Sequence, residues 1–155
     1  MCQRGCRLLL VSSSGGVLLD LLALEPWWRG HRTTWAVIRA ADTESALRGQ
    51  DVRWIRECRA ARPDRLLLTF VRAGHALLRS VRPDLVVSAG SGVAVPFFIL
   101  SRLLGIPCIW ISTLNIIATP GRADRLCSRL ASAVVVQRET LLQTHPGAVL
   151  IGELY

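Results

Sequence analysis

The chain has 155 residues, 51% of them hydrophobic and 19% charged, with a formal net charge of +8. That length suits one domain with a sizeable core, and that balance excludes a disordered chain. All 19 basic residues are Arg, and the excess charge selects an anionic partner, whether membrane surface, nucleic acid or acidic protein. The apolar composition, with no basic–aromatic interleaving, favours the membrane over nucleic acid.

The first element is the apolar run 8–11, read as a short buried strand. Ser12, Ser13, Ser14, Gly15 and Gly16 follow as a small-residue turn, and residues 17–24 as a helix. Such a turn lets backbone N–H groups approach an anion, because Gly lacks a Cβ and Ser adds hydroxyl donors. The helix points its positive end at the same place, so a phosphate or diphosphate is the implied ligand. The turn lacks the Lys-Ser/Thr of a P-loop and the spacing of a dinucleotide fingerprint. A strand-to-helix turn with nothing bound is the alternative. The helix is apolar nearly all round apart from Asp20, so it is covered or meets lipid or a partner. Pro26 is expected to end it, ahead of Trp27 and Trp28.

Residues 33–39 read as a second strand, rich in β-branched and aromatic side chains. Asp42 or Thr43 caps a short helix through Arg48, which Gly49 stops. Residues 51–55 alternate polar and apolar, as a half-exposed edge strand does. Residues 63–82 form the strongest helix pattern, with Leu66, Leu67, Phe70, Val71, Leu77, Leu78 and Val81 as the buried stripe. Arg65, Arg72 and Arg79 recur every seven residues on another face, with His75 and Arg82 nearby. Such a row is a solvated face, or it rests on anionic headgroups at about 1 kcal/mol per Arg.

Residues 85–88 are a continuous apolar strand, and Ala89-Gly90-Ser91-Gly92 make a second glycine-bearing turn. A helix over 93–104 stops at Gly105, a strand covers 107–112, and a loop with Asn115 and Pro120 runs to 121. A helix at 122–132, a strand at 133–137, a short helix at 139–144 and a strand at 148–151 complete the series. Residues 85–101 and 103–121 carry no charge, yet their glycines and prolines divide them into pieces too short to span a membrane. Cys2, Cys6, Cys58, Cys108 and Cys127 are scattered, and His31, His75 and His145 show no ligand spacing. No metal or other cofactor is expected, and the thiols are expected to be reduced.

Alternating strand and helix predicts one α/β domain, a mostly parallel sheet with helices on both faces. With strand order 3-2-1-4-5, ligands bind between strands one and four, beyond their carboxyl ends. Both glycine-bearing turns belong at that crevice.

Ser-Ser-Gly-Gly at 13–16, Pro-Trp-Trp at 26–28, the run 83–98 through Gly90-Ser91-Gly92, Val-Val-Gln at 135–137 and the ending Leu-Ile-Gly-Glu-Leu-Tyr form one pattern. Together they resemble the asparagine-linked glycosylation 14 family, whose bacterial relatives are polysaccharide-biosynthesis subunits of two-part β-glycosyltransferases. The resemblance covers essentially the whole chain. It implies that residues 1–155 are a single Rossmann-like domain, the acceptor-binding N-terminal half of a GT-B enzyme. The implied acceptor is a polyprenyl-diphosphate-linked sugar, and a separate donor-binding subunit is implied to hold the UDP-sugar. Ser12, Ser13, Ser14, Gly15 and Gly16, with Gly90, Ser91 and Gly92, are implied to surround the acceptor diphosphate and sugar. The 152–155 tail, with Leu154 and Tyr155, is implied to dock on the partner subunit.

A peripheral place on the cytoplasmic face of the membrane follows from the same resemblance, with Leu18, Leu22, Trp27, Trp28, Arg72 and Arg79 as the contacts. Val17 stands where the family usually has His, and Ser112 where it tends to carry an acid, so no catalytic base is assigned. A noncatalytic membrane scaffold that recruits a soluble glycosyltransferase subunit is the second reading. A basic nucleotide- or nucleic-acid-binding domain is the third, and rests on net charge alone.

Overall fold

Strand and helix alternate throughout the computed structural model, which describes residues 5–55, 63–112, 121–145 and 147–152, with backbone alone for 63–70. In chain order the elements are β1 (Arg7–Ser12), α1 (Gly16–Ala23), α2 (Glu25–Trp28), β2 (Arg32–Ile38), α3 (Ala41–Ala46) and β3 (Asp51–Ile55). There follow α4 (Pro63–Val81), β4 (Leu85–Ser88), α5 (Ala94–Leu104), β5 (Cys108–Ser112), α6 (Arg122–Leu130) and β6 (Ala133–Val136). A single 3-10 turn, Glu139–Leu142, and β7 (Val149–Leu150) close the series. The strands form one seven-stranded parallel sheet in the order β3-β2-β1-β4-β5-β6-β7. The order therefore reverses between β1 and β4, as expected.

Because side chains alternate across a strand, β1 feeds two cores. Leu8 and Leu10 join Trp35, Val37 and Val87 beneath Leu18 and Leu21 of α1 and Trp28 of α2. Leu9 and Val11 join Val86 and Trp110 beneath Leu78 of α4, Phe97 and Phe98 of α5, and Cys127 of α6. Residues 8–11 have no exposed surface, and each such side chain contributes roughly 1.5–3 kcal/mol of burial. An edge-on aromatic pair anchors each core, Trp28–Trp35 at 5.5 Å on one side and Phe98–Trp110 at 5.6 Å on the other.

Two boundaries differ from expectation. The first helix ends before Pro26, which sits in the opening turn of the separate helix α2, where its missing N–H costs nothing. Thr43 braces the start of α3, its hydroxyl accepting from the Ala40 N–H at 2.9 Å and donating to the Ile38 carbonyl, while Asp42 turns elsewhere. Gly105 does stop α5, in the left-handed conformation at φ 71°. Arg65, Leu66, Leu67 and Phe70 of the α4 pattern lie outside the described side chains. So do Cys2, Cys58 and residues 113–120.

At the amino edge of the sheet, Asp84 ties β4 to β1. Its carboxylate accepts from the Arg7 backbone N–H at 2.9 Å and from the Arg7 guanidinium at 2.7 Å. Those bonds, the guanidinium's first, hold the Asp84 carboxyl down at about 2, from an ordinary 3.8. A depressed native value means stability present above about pH 4 and lost as the pH falls through 2. Acid unfolding of Asp84→Asn, followed by circular dichroism, should lose the wild-type slope in that window, and the wild-type slope should shrink in high salt. An unchanged slope would show the pair is indifferent to folding.

Cys108 and Cys127 are free and buried. Burial, with Asp124 and Cys108 adding to it, pushes the Cys127 thiol up to about 12. Cys6 departs from the reduced state expected of it, being disulfide-bonded.

The two faces of the sheet are covered unequally. Where α4, α5 and α6 lie over one face, on the other α1 and α2 leave an apolar trough of about 200 Å³ over β4, β5 and β6. Leu24, Trp27, Val87, Ile109, Ile111, Val135 and Ile151 line it.

Candidate functional site

β1 and β4 deliver their turns to the same rim. Ser12 ends β1 fully buried, its hydroxyl donating to the Ser13 carbonyl at 2.7 Å, while the Ser13 hydroxyl donates to the Ser14 carbonyl. The chain then reverses at Gly15, whose φ of 78° and ψ of −142° are open to glycine and strained for any other residue. α1 starts at once, and no side chain caps it. On the other side Ser88, also buried, donates its hydroxyl to the Gly90 carbonyl at 2.9 Å. Gly90 has φ 134° and Ser91 has φ 78°, so this turn carries two consecutive positive-φ residues before α5.

The turns touch. A Cβ built on Gly90 would lie 3.3 Å from Cγ2 of Val17, in the first turn of α1. Ser12 and Gly90 are therefore interior parts that shape the turns. Ser14, Gly15, Gly16 and Gly92 are exposed, and Ser13 and Ser91 partly so. The departure at Val17 now has a structural sense, since its side chain packs over Gly90 and against the core below.

Asp42 completes this rim. Its Oδ2 accepts from the Gly15 N–H at 2.9 Å, across 27 residues of sequence. As a sequence feature Asp42 reads as a helix cap. The signal that would have placed it is β1–β2 pairing, because Val37 lies opposite Ser12 and so brings the end of β2 beside the first turn.

Beyond β5 lies a second polar group, sealed from solvent. Asp124 Oδ1 accepts from the Trp110 indole N–H at 2.6 Å, with the Ser112 hydroxyl at 3.5 Å. His145 Nε2 stands 3.3 Å from Asp124 Oδ2, within range of an ion pair but not aligned as a hydrogen bond. An acid thus stands beside Ser112 after all, contributed by α6 and only 4% exposed. Its partners make it a brace between β5, α6 and the segment after β6.

The residues assigned to lipid divide. Leu18 and Trp28 are corrected: both are buried, Trp28 donating its indole N–H to the Leu21 carbonyl at 2.8 Å, so the core takes them. An apolar helix without a polar face gives no sign of which side turns inward. Leu22 is half-buried, whereas Trp27, Arg72 and Arg79 are exposed. Leu154 and Tyr155 lie outside the described residues. No described helix is long and apolar enough to cross a membrane, and the described residues hold no cluster of three or more potential metal ligands.

No family model matches the chain. Individual proteins do. It is 37% identical over 109 residues to a UDP-N-acetylglucosamine–N-acetylmuramyl-(pentapeptide) pyrophosphoryl-undecaprenol N-acetylglucosamine transferase of Nitrosospira multiformis, 70% of this chain and 28% of that one. The transferase of the same name from Methylococcus capsulatus is 32% identical over 161 residues, 93% of this chain and 43% of that one. These transferases are its homologues. Among solved structures, MurG of Acinetobacter baumannii superposes with a TM-score of 0.69 at 18% identity, over 84% of this chain and 41% of that one. A UDP-N-acetylglucosamine 2-epimerase of Rickettsia bellii gives 0.72 at 9% identity, over 97% and 45%. Those likenesses show the fold, one α/β unit of the kind found in GT-B glycosyltransferases and epimerases. The chain spans less than half the length of each.

Proposed function

We propose that the chain is the acceptor-binding half of a GT-B glycosyltransferase that extends a polyprenyl-diphosphate-linked sugar. The observation that carries this is its homology to transferases whose named acceptor is a pyrophosphoryl-undecaprenol sugar. The closeness of Val17, in the first turn of α1, to Gly90 supports it, since it sets the turn after β4 beside the N-terminus of α1, where an anion is favoured. In this reading Ser13, Ser14 and Gly16, with Ser91 and Gly92, face the diphosphate and the sugar, while Ser12, Gly90 and Gly15, whose N–H is taken by Asp42, hold the turns in shape. UDP-sugar binds to a donor half, supplied as a separate subunit in keeping with the resemblance to the asparagine-linked glycosylation 14 family. Arg72 and Arg79 of α4, backed by the net charge of +8, rest on anionic lipid at the cytoplasmic face, and Trp27, on the opposite face of the sheet, is left out of that contact.

The test is reconstitution. The purified chain is mixed with the part of the Nitrosospira multiformis transferase that it does not cover, UDP-N-acetylglucosamine, and a short-chain polyprenyl-diphosphate N-acetylmuramyl-pentapeptide. Transfer should need both proteins, and the chain alone should bind the lipid acceptor but not the nucleotide sugar. Tight binding of the UDP-sugar by the chain alone, or no binding of the lipid, would overturn the reading.

Val17 over Gly90 and Ser112 beside a buried Asp124 also favour a second reading, a noncatalytic scaffold. Lipid binding with no transfer, unchanged when Val17→His restores the usual residue, is the outcome that selects it.

A further inference from the structure

Transfer of a sugar to a hydroxyl needs a proton acceptor at the acceptor site. Val17 and Ser112 supply none. The other described acids and histidines are placed or engaged away from the β1–β4 rim: Glu25 pairs with Arg29, His75 lies within α4, and Glu139 follows β6, two strands beyond β4. Asp20 is 1% exposed, and Asp124 and His145 are buried against each other. Asp51 and Asp84 open β3 and β4, and His31 precedes β2, all at the opposite edge of the sheet. Glu44 pairs with Arg39. Residues 113–120, which follow β5, contain no Asp, Glu or His in sequence. Asp42 differs from all of these, being exposed and fixed on the Gly15 N–H at the carboxyl end of β1.

We propose that Asp42 is the general base of the transfer reaction. This rests on the acceptor-site reading given above. The bond to Gly15 orients the carboxylate, the service a third group performs for any catalytic base. The acceptor hydroxyl gives its proton to Asp42 as its oxygen bonds to the anomeric carbon of the nucleotide sugar. The bond from that carbon to the diphosphate breaks, and UDP leaves with the electron pair. The base of this chain thus comes from the β2–α3 turn rather than from the first turn of α1.

Asp42→Asn separates catalysis from architecture, because an amide oxygen still accepts from the Gly15 N–H. In the reconstituted system, kcat for Asp42→Asn should fall 100-fold or more, with lipid-acceptor affinity and Tm close to wild type. The acid limb of the wild-type kcat profile should vanish in that variant. Formate should partly restore turnover to Asp42→Ala, and Asp42→Glu should retain more activity than Asp42→Asn. A kcat for Asp42→Asn within threefold of wild type, or an unaltered pH profile, would overturn the assignment. Absence of transfer by the wild-type pair would instead strike the acceptor-half reading, so the two failures are distinct.

Discussion

Gly90→Ala should cost about 3 kcal/mol and lower Tm by about 10 °C, in a chain of this size. Two effects add at this position. The backbone sits at φ 134°, a conformation that side chains bearing a Cβ adopt only under strain. The new methyl would also stand 3.3 Å from Cγ2 of Val17, tighter than ordinary contact. Val17→Ala removes the second effect and leaves the first, so the double variant should recover part of the loss. A double-mutant cycle in urea should then give a coupling of about 0.5–1 kcal/mol between the two positions. Additive losses, or a single-variant cost below about 1 kcal/mol, would mean that the turns after β1 and β4 do not bear on one another.

The second large effect belongs to Asp124. Asp124→Ala strips the carboxylate from the Trp110 indole N–H and from His145, and leaves both polar groups in a dry interior. Stranding buried partners is far costlier than losing an exposed ion pair, so a loss of about 3–4 kcal/mol is expected. Asp124→Asn keeps an oxygen for the indole and should lose less. Chemical unfolding followed by tryptophan fluorescence measures both, and an unchanged m value would show that the comparison is sound. Equal losses for Ala and Asn would mean that charge opposite His145, rather than the bond to Trp110, is what the site provides.

Most of the architecture was legible because local signals agreed with one another. The run Leu8–Val11 is long enough for a strand, too short for a helix, and apolar at every position, so its burial on both faces followed. Gly105 and the period of the α4 pattern marked helices without help from distant residues. Alternation gave the parallel sheet, and the common order 3-2-1-4-5 adopted for it matches the observed sheet, which adds β6 and β7 and brings the two glycine-bearing turns to one rim.

What stayed hidden depended on partners far along the chain. Asp42 meets Gly15 and Asp124 meets Trp110 only once the sheet has formed, and neither spacing has a sequence signature. Leu18 and Trp28 were assigned to lipid because hydrocarbon looks the same whether it meets acyl chains or a Trp ring such as that of Trp35. Helix α2 was missed because Pro26 reads equally as a stop and as a first-turn residue.

The trough over β4, β5 and β6 sets how the protein behaves on the bench. Among the described residues the sheet is roofed on only part of this side, and the exposed Val149, Leu150 and Ile151 continue the apolar surface. Preparations held at high concentration will therefore drift towards clustering, and mild detergent is the natural remedy.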